Sequence, residues 1–528
     1  MKNTFTLLFL CLFMGITQAQ RNVVLIIADD LGSDWCGFQE NRIDTVNLPN
    51  VRKLLSRGVR FSNAWANPVC SPSRAGILTG RYSFRTGVGN VVVNPMSVQL
   101  DTAEITIPKL LKNTNAPIKY ATANVGKWHL QVQNAANLNN PSKMGYDYYA
   151  GCFAAEVTNY YNWSKVTNGV AATSTTYATI DNTNNAITWM NQQTNKPFFL
   201  WLAFNAPHFP IHLPPDSLIT NHSLSGTVTD IATNQKAYFK VMAEAMDNRI
   251  GKIFDWLEAN NKLDSTDIIF VGDNGDDRTA AQITNQMRIK GSVYQGGVTV
   301  PFIIAGPSVK NPGRVSNALV NLQDIFATVV ELTGYTNWQT QIAANKPVDS
   351  KSLVPILKNT STTARPWAFT EVFGTNTASD GKAIRNQDYK LLNFDSGKQE
   401  FYNLTNDPNE ATNLLNRALT ATERTNYNYL CTEMGLLLNK TVCTTVATNE
   451  LNQKEQPIIS PNPVHQLLSV SFSDALSFSY QINAIDGKML LQGVSTKDIS
   501  TSELPNGLYL LKIQRQDAVY IEKIVVEK

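Results

Sequence analysis

Three segments of the chain are almost continuously apolar, without alternation between hydrophobic and polar positions. They are Asn22–Ala28, Lys196–Ala203 and Asp267–Gly272. Such runs are typical of strands that are covered on both faces of a sheet. Helix-like segments lie between them, for example at residues 50–57 and 240–259. The alternation predicts an α/β fold, a three-layer sandwich around a central mixed, mostly parallel sheet, in which ligands bind at the carboxyl ends of the strands.

The pattern changes further along the chain. Residues 365–443 are typical of a smaller α+β C-terminal subdomain, with short strands predicted at Lys390–Leu392 and Glu400–Leu404. Residues 444–456 are polar and aperiodic, as expected for a linker. The large α/β domain is therefore predicted to occupy residues 20–364.

A distinct tail occupies residues 457–528. It opens on the breaker cluster Ser460–Pro463, and Asp486-Gly487 and Pro505–Gly507 are turn signals within it. The strand-like runs are Leu467–Phe472, Phe478–Ile485, Gly507–Ile513 and Tyr520–Val526. The tail is predicted to be a small all-β domain, a β-sandwich, and it contains no grouping of His, Cys and carboxylates that suggests chemistry.

The N-terminus has the pattern of a secretory signal peptide. Lys2 supplies a positive charge, Phe5–Ile16 is a short apolar run, and Thr17–Ala19 places small residues at the cleavage positions. The apolar run is too short to span a bilayer, and no later stretch approaches the roughly 20 apolar residues of a spanning helix. We expect residues 1–19 to be removed and the mature protein to be secreted and soluble, with no membrane span.

Composition adds little to this picture. Charged residues make up 16% of the chain and the net charge is +3, which gives no electrostatic argument for nucleic acid as a partner. Five cysteines remain after the signal peptide, an odd number, so at least one is unpaired or chemically special. Cys431 and Cys443 are close enough in sequence to close a small loop, although the sequence does not determine the pairing.

Acidic and amide side chains follow two of the predicted buried strands. Asp29-Asp30 comes directly after the first strand, and Asp273-Asn274 follows another. Either pair alone would more often be an ordinary turn or helix cap than a metal site. Two such pairs at the carboxyl edge of one sheet supply oxygen ligands suited to calcium, or less well to magnesium. Together they favour a metal site.

The most specific motif begins at Cys70. Cys70-Ser71-Pro72-Ser73-Arg74 runs into Leu78-Thr79-Gly80-Arg81, and this combination resembles the signature of the formylglycine-dependent sulfatases, of the alkaline-phosphatase-like superfamily. The resemblance extends from Asn22 to about residue 440. Its other motifs, in family order, are Asp29-Asp30, Gly126–Leu130, Ala206–Pro210, Asp273–Gly275 and Lys290–Ser292.

The resemblance implies a particular chemistry. A maturation enzyme oxidises Cys70 to formylglycine, whose hydrate attacks sulfur through one hydroxyl and expels sulfate through the second. Arg74 lies four residues from Cys70, one turn along a helix, and is expected to steady the hydrate. Residue 70 also joins Asp29, Asp30, Asp273 and Asn274 as a ligand of the metal.

Four further residues acquire roles from the same resemblance. Lys127 and Lys290 would contact the sulfate oxygens. His129 would activate or deprotonate the hydrate, and His208 is the candidate to protonate the leaving oxygen. Lys127 and His129 are two residues apart, so an extended segment would place both on one face.

The chain departs from the family pattern after Lys290. The family commonly has Glu followed by two glycines and a later Arg, whereas this chain has Gln295-Gly296-Gly297 and Thr299. We interpret these positions as bracing the loop. The aromatic-rich segment Tyr146–Trp163 is compatible with either a sugar pocket or core packing, and no additional sulfate contact can be assigned within it.

Two alternatives to a sulfatase remain at this point. A phosphodiesterase or phosphonate monoester hydrolase of the same superfamily could use similar metal and cationic groups, but typical relatives of that kind have Ser or Thr at the position of Cys70. A non-catalytic glycan-binding relative would be expected to lack at least one of Cys70, Arg74, Lys127 and His129.

The tail resembles the C-terminal sorting domain of type IX secretion cargo. The matching pieces are Pro461–Pro463, Ile485–Lys488, Leu504–Tyr509 and Lys523–Lys528. A carbohydrate-binding or spacer β-domain is the alternative on fold grounds. Export of this kind implies the type IX machinery as a partner and favours a sulfated polysaccharide or its oligosaccharides as substrate.

Overall fold

The protein was analysed as a computed structural model that describes residues 21–37, 44–220, 223–283, 285–375, 379–443, 457–472, 476–485, 488–515 and 518–528. The chain divides into two units, one ending at Leu438 and the other beginning at Asn439. The predicted signal peptide, the linker and the Asp486-Gly487 turn lie outside the described residues.

A ten-stranded mixed sheet forms the centre of the first unit. Its strands are β1 (Asn22–Ala28), β2 (Gly58–Trp65), β3 (Ala121–Gly126), β4 (Tyr148–Gly151), β5 (Trp163–Thr167), β6 (Val170–Ser174), β7 (Phe198–Ala203), β8 (Thr266–Gly272), β9 (Phe302–Ala305) and β10 (Arg314–Asn321). They are ordered β10-β2-β9-β8-β1-β7-β3-β4-β5-β6. The four neighbours β8, β1, β7 and β3 are parallel to one another, so their carboxyl ends meet along one edge.

Helices cover this sheet on both faces. The α-helices of the first unit are α1 (Pro49–Arg57), α2 (Cys70–Thr79), α3 (Ser83–Thr86), α4 (Ile107–Lys112), α5 (Asn140–Lys143), α6 (Ala178–Asn191), α7 (Val228–Thr233), α8 (Gln235–Ala259), α9 (Gln295–Val298), α10 (Asp324–Leu332), α11 (Val354–Leu357) and α12 (Ala421–Leu438). The α8 helix begins five residues before the predicted start at Lys240, because Tyr238 and Phe239 already lie on its buried side.

The central strand β1 shows why the layers form. Val23, Leu25 and Ile27 pack into one hydrophobic core with residues of α2, α4 and α10. The alternate residues of β1 pack into a second core with residues of α1, α6 and α8. Since successive side chains of a strand point to opposite faces, a strand between two helical layers must be apolar at nearly every position. The predicted three-layer α/β sandwich is confirmed.

A four-stranded antiparallel sheet follows in the first unit. Its strands are β11 (Ala368–Val372), β12 (Gly381–Arg385), β13 (Tyr389–Phe394) and β14 (Gln399–Asn403), paired in sequence order. The α12 helix packs mainly against β13 and β12. Cys431 and Cys443 each take part in a disulfide, whereas Cys36, Cys70 and Cys152 are buried free thiols.

The second unit is all-β in its described part. Its strands are β15 (Ile458–Ser460), β16 (Leu467–Ser471), β17 (Phe478–Ala484), β18 (Met489–Ser495), β19 (Asp498–Ser500), β20 (Gly507–Arg515) and β21 (Ala518–Val526). They form an antiparallel sheet ordered β15-β16-β19 and another ordered β18-β17-β20-β21. A separate core, which includes Leu468, Ile482 and Ile524, lies within this unit.

No helix in the described part of the chain has the length and apolar character needed to cross a membrane.

Candidate active site

Four adjacent parallel strands carry most of the predicted site residues at their carboxyl ends. Asp273 and Asn274 follow β8, and Asp29-Asp30 follows β1. His208 lies in the loop after β7, and Lys127 follows β3 directly. The strand order therefore gathers residues that are far apart in sequence, at the edge where an α/β sheet binds ligands.

Cys70 is the first residue of α2, and all ten residues of this helix are buried. Gly80 ends the helix in the left-handed conformation, with φ of 71°, and its N–H donates to the carbonyl of Gly76. The Cys70 side chain is only 1% exposed, and burial raises the pKa of its thiol. Lys127 Nζ lies 3.6 Å from Cys70 Sγ, so the thiol faces the other predicted site residues.

Two lysines, Lys127 buried and Lys290 partly buried, pair with the carboxylates that follow β1. Lys127 Nζ donates to Asp29 Oδ2 at 2.6 Å, and Lys290 Nζ donates to Asp30 Oδ2 at 2.7 Å. Burial alone would raise the pKa of Asp30, but Lys290 and His208 outweigh it and hold that pKa well below its usual range. Burial dominates at Asp29 and raises its pKa to about 7, despite the opposing charge of Lys127.

Arg74 connects the helix to the sheet edge. Its Nε and Nη2 donate to Asp273 Oδ2 at 3.0 and 2.7 Å, and its Nη1 donates to the carbonyl of Lys127 at 2.9 Å. Two nitrogens on one carboxylate make a charge-assisted contact of defined orientation. Arg74 therefore fixes α2, and with it Cys70, relative to the ends of β8 and β3.

The acidic residues can accommodate a hard divalent cation. One ligand atom each of Asp29, Cys70 and Asp273 lie within 4.8 Å of one another. Asp29 Oδ1 and Asn274 Oδ1 are buried and accept no hydrogen bond from any described residue. A buried oxygen without a donor costs about 1–3 kcal/mol, and oxygen ligands of this type are those that calcium and magnesium bind. The donor set therefore fits the predicted metal.

His129 is buried next to this cluster, and neither ring nitrogen has a hydrogen-bond partner among the described residues. Burial, followed by the charges of Lys127 and Arg74, lowers its pKa well below the ordinary value, so the ring is neutral. The prediction of an extended segment from Lys127 to His129 is wrong. The β3 strand ends at Gly126, and His129 has φ of 57°, a left-handed conformation that breaks strand alternation.

His208 joins the cluster through Asp30. Its Nε2 lies 3.6 Å from Asp30 Oδ2, and its Nδ1 donates to the carbonyl of Phe209 at 2.9 Å. Burial lowers the pKa of His208 to about 3, although Asp30 opposes this shift.

Two positioning contacts were not identified from sequence. Ser71 Oγ donates to the carbonyl of His129 at 2.8 Å, and Tyr160 Oη donates to the carbonyl of His208 at 2.7 Å. Ser71 lies inside the Cys70 motif, which could have suggested a role, whereas nothing in the local pattern distinguishes Tyr160. Most aromatic rings between Tyr146 and Trp163 are buried core, which favours core packing for that segment.

The family assignment follows from the comparison with known proteins. Residues 21–335, more than half of the chain, match the sulfatase family profile. The chain belongs to the sulfatase family. Residues 288–429 of this sulfatase also match the C-terminal region of N-sulphoglucosamine sulphohydrolase. Residues 459–527 match the secretion system C-terminal sorting domain, which implies secretion.

Similar sequences share about a quarter of their residues with this sulfatase. Mouse arylsulfatase J is 27% identical over 419 residues, which cover 72% of this chain and 66% of the relative. Human N-acetylgalactosamine-6-sulfatase is 26% identical over 383 residues, covering 65% of this chain and 67% of the relative. The chain thus spans about two thirds of the length of these relatives. It is a sulfuric ester hydrolase by family.

Solved structures support the same fold. Ps i-CgsB, crystallised in complex with k-i-k-neocarrahexaose, matches with a TM-score of 0.66 and 24% identity, over 81% of this chain and 96% of that one. The PsFucS1 sulfatase from Pseudoalteromonas sp. matches with a TM-score of 0.63 and 20% identity, over 80% of this chain and 92% of that one.

The position at which this sulfatase departs from the family pattern lies beside Lys290. Gln295 Oε1 accepts a hydrogen bond from Trp65 Nε1 at 2.9 Å, and the Gln295 N–H donates to Glu410 Oε2 at 2.7 Å. These contacts connect the start of α9 to β2 and to the segment that follows β14.

Proposed function

We propose that the chain hydrolyses sulfate esters of a sulfated polysaccharide, or of its oligosaccharides, with a formylglycine made from Cys70. The observation that carries the proposal is the buried cluster around Cys70, in which two lysines and an arginine face three aspartates. Its positive members suit a sulfate group, and its oxygen atoms without donors suit a metal.

Two groups complete the site in this proposal. The formylglycine hydrate supplies an oxygen nucleophile with a second hydroxyl for expelling sulfate, and calcium, rather than magnesium, supplies positive charge beside it. Asp29, Asp30, Asp273 and Asn274, together with residue 70, would hold the calcium ion.

The remaining roles belong to side chains of this chain. Lys127 and Lys290 bind the sulfate oxygens; against the effect of burial, the neighbouring aspartates raise the pKa of both lysines, so both keep the positive charge that this role needs. Arg74 holds residue 70 in register with Asp273. His129 accepts a proton from the attacking group, because a neutral imidazole has one unprotonated ring nitrogen that can act as a base.

His208 protonates the oxygen of the departing alcohol. Its Nε2 faces Asp30, on the side of the site that Lys290 also borders. A bound sulfate ester adds negative charge beside the ring and thereby favours the protonated imidazole that a general acid requires.

A sulfated glycan is the proposed substrate class. Among similar proteins, one is an N-acetylgalactosamine-6-sulfatase, and a structural neighbour was crystallised with a neocarrahexaose. A sorting tail on the same chain is compatible with an enzyme that meets polymers outside the cell. We further propose residues 1–19 as a cleaved signal peptide, and export by the type IX machinery.

The modification of Cys70 provides the direct test. The chain is produced with and without a formylglycine-generating maturation enzyme, and the peptide containing Cys70 is analysed by mass spectrometry. Sulfatase activity should rise in proportion to the aldehyde fraction, and Cys70→Ala should be inactive under both conditions.

An active preparation that contains only the thiol would overturn the formylglycine mechanism. Phosphonate monoesters or phosphodiesters are assayed in parallel with sulfate esters. If these were cleaved with higher kcat/KM than every sulfate ester tested, the assignment would move to the phosphoryl-transfer relatives.

A further inference from the structure

The segment between β4 and β5 is attached to both candidate catalytic histidines. The carbonyl of Phe153 accepts the N–H of His129 at 3.2 Å. At the other end, Tyr160 Oη donates to the carbonyl of His208 at 2.7 Å. Residues 154–159 therefore span from one candidate catalytic histidine to the other.

Glu156 lies in the middle of this span. Cys152 Sγ donates to its backbone carbonyl at 3.2 Å, which holds the turn. The side chain is partly exposed, and no described residue donates a hydrogen bond to its carboxylate. The charges of Lys127 and Lys290 both act on this carboxylate, although burial outweighs them and raises the pKa of Glu156. Because Phe153 and Tyr160 are hydrogen-bonded to His129 and His208, Glu156 lies in the segment that connects the two histidines of the site.

A carboxylate in this position is unexpected for a site that binds an anion. Like charges placed next to each other weaken binding, so Glu156 disfavours the sulfate group itself. A carboxylate accepts hydrogen bonds and donates none, and charge-assisted bonds from hydroxyl groups are stronger than neutral ones. The hydroxyl groups of a sugar could satisfy it.

The ring of Phe209 provides an independent apolar surface beside His208. It stacks on the imidazole of His208, with centroids 4.7 Å apart and planes at 22°. The side chain is nevertheless 41% exposed, so part of it remains available to a ligand. Aromatic faces pack against apolar surfaces, and one face of a pyranose ring is apolar.

We infer that Glu156 is a specificity-determining residue that accepts a hydrogen bond from a hydroxyl of a neutral pyranose, whose apolar face packs on Phe209. This inference rests on the proposed function. The carboxylate selects sugars that carry a hydroxyl next to the sulfated position. It disfavours sugars that carry a carboxylate or a second sulfate there.

The test measures the wild type and Glu156→Gln on three types of substrate. In both enzymes residue 70 has been converted to formylglycine. The substrates are 4-nitrophenyl sulfate, the positional isomers of galactose monosulfate, and a uronic acid monosulfate. In Glu156→Gln, the ratio of kcat/KM for the best galactose sulfate to that for 4-nitrophenyl sulfate should fall about tenfold or more. The ratio of kcat/KM for the uronic acid monosulfate to that for the best galactose sulfate should rise, because glutamine does not repel the uronate carboxylate.

Glu258→Gln, an exposed substitution in α8, is the matched control and should leave both ratios at the wild-type value. Ratios in Glu156→Gln within about twofold of wild type would overturn the role of Glu156 while the proposed function stands. A wild-type enzyme with converted Cys70 that cleaves no sulfate ester would instead overturn the proposed function.

Discussion

Two histidines of this chain, His129 buried and His212 half-buried, differ in the hydrogen bonds of their ring nitrogens. Neither nitrogen of His129 has a partner among the described residues. In His212, Nδ1 donates to the carbonyl of Pro210 at 2.7 Å and Nε2 accepts from Tyr177 Oη at 2.9 Å. The two hydrogen bonds of His212 are explained by a structural role. The His129 ring without partners suits a residue that forms its hydrogen bonds only when the ligand binds.

Replacing these histidines should separate the two roles. His129→Asn should lower turnover about 100-fold or more, while the melting temperature changes little because no hydrogen bond is lost; asparagine also tolerates the left-handed backbone. His212→Asn should cost about 1–3 kcal/mol of stability and keep turnover within about threefold of wild type. Steady-state kinetics and thermal unfolding on both variants test this. A large stability loss in His129→Asn, without loss of turnover, would contradict it.

The unsatisfied oxygens of Asp29 and Asn274 lead to a prediction for the metal. Calcium should raise the melting temperature of chelator-treated protein, because a ligand that binds only the folded state stabilises it by about 2.7 kcal/mol at a hundredfold excess over Kd. Asp29→Asn should abolish this rise. Calcium should also restore activity after chelation, and magnesium less well. Recovery of activity with zinc, but not with calcium or magnesium, would argue against a site built from hard oxygen ligands.

At the scale of elements, the carboxyl end of β3 depends on one close backbone contact. A Cβ on Gly126 would lie 1.8 Å from the carbonyl oxygen of Ala203 in β7, and φ at Gly126 is +101°. Gly126→Ala should therefore destabilise the fold by roughly 3 kcal/mol or more and displace Lys127, so that turnover also falls.

Gly334 is the matched control for this substitution. It has φ of +85°, and no described residue other than its chain neighbours has an atom within 4 Å of the position of an added Cβ. Gly334→Ala should cost about 1 kcal/mol from backbone strain alone. Denaturant unfolding of both variants gives the comparison. Equal losses of unfolding free energy in the two variants would show that backbone strain, and not the contact with β7, determines the cost of Gly126→Ala.

The elements themselves were largely predictable, because their signals are local. The three buried strands were predicted within two residues of their observed bounds, since an uninterrupted apolar run is specific to a strand covered on both faces. The left-handed residue His129 was not predicted. Its conformation follows from contacts with the segment after β4 and with α2, namely the carbonyl of Phe153 and Ser71 Oγ.

At the scale of the whole molecule, the two units have separate cores. The core of the second unit consists entirely of residues from Ile459 onwards, and the predicted site residues lie between Asp29 and Lys290. Deletion of residues 457–528 should therefore leave kcat, KM and the melting temperature of the remaining chain unchanged, and should abolish export. Activity in cell fractions and thermal unfolding of the purified truncated enzyme measure both effects.

Either of two results would contradict the assignment of catalysis to the first unit and of export to the second. A truncated enzyme that loses activity on glycan sulfates, but retains it on aryl sulfates, would point to carbohydrate binding by the tail. Normal export after truncation would refute the sorting role in this protein.

The sequence by itself determined which residues belong together chemically. The Cys70 motif, the two acidic pairs and the histidine motifs are short, local patterns whose residue types are set by the chemistry. Only the tertiary structure decided how they pair. Lys127 meets Asp29, Arg74 meets Asp273 and Lys290 meets Asp30 across separations of 98, 199 and 260 residues. These contacts depend on the order β8-β1-β7-β3, which differs from the order of the strands along the chain. Local propensity carries no information on which strands become neighbours, because their pairing is settled by the packing of the whole sheet against its helices.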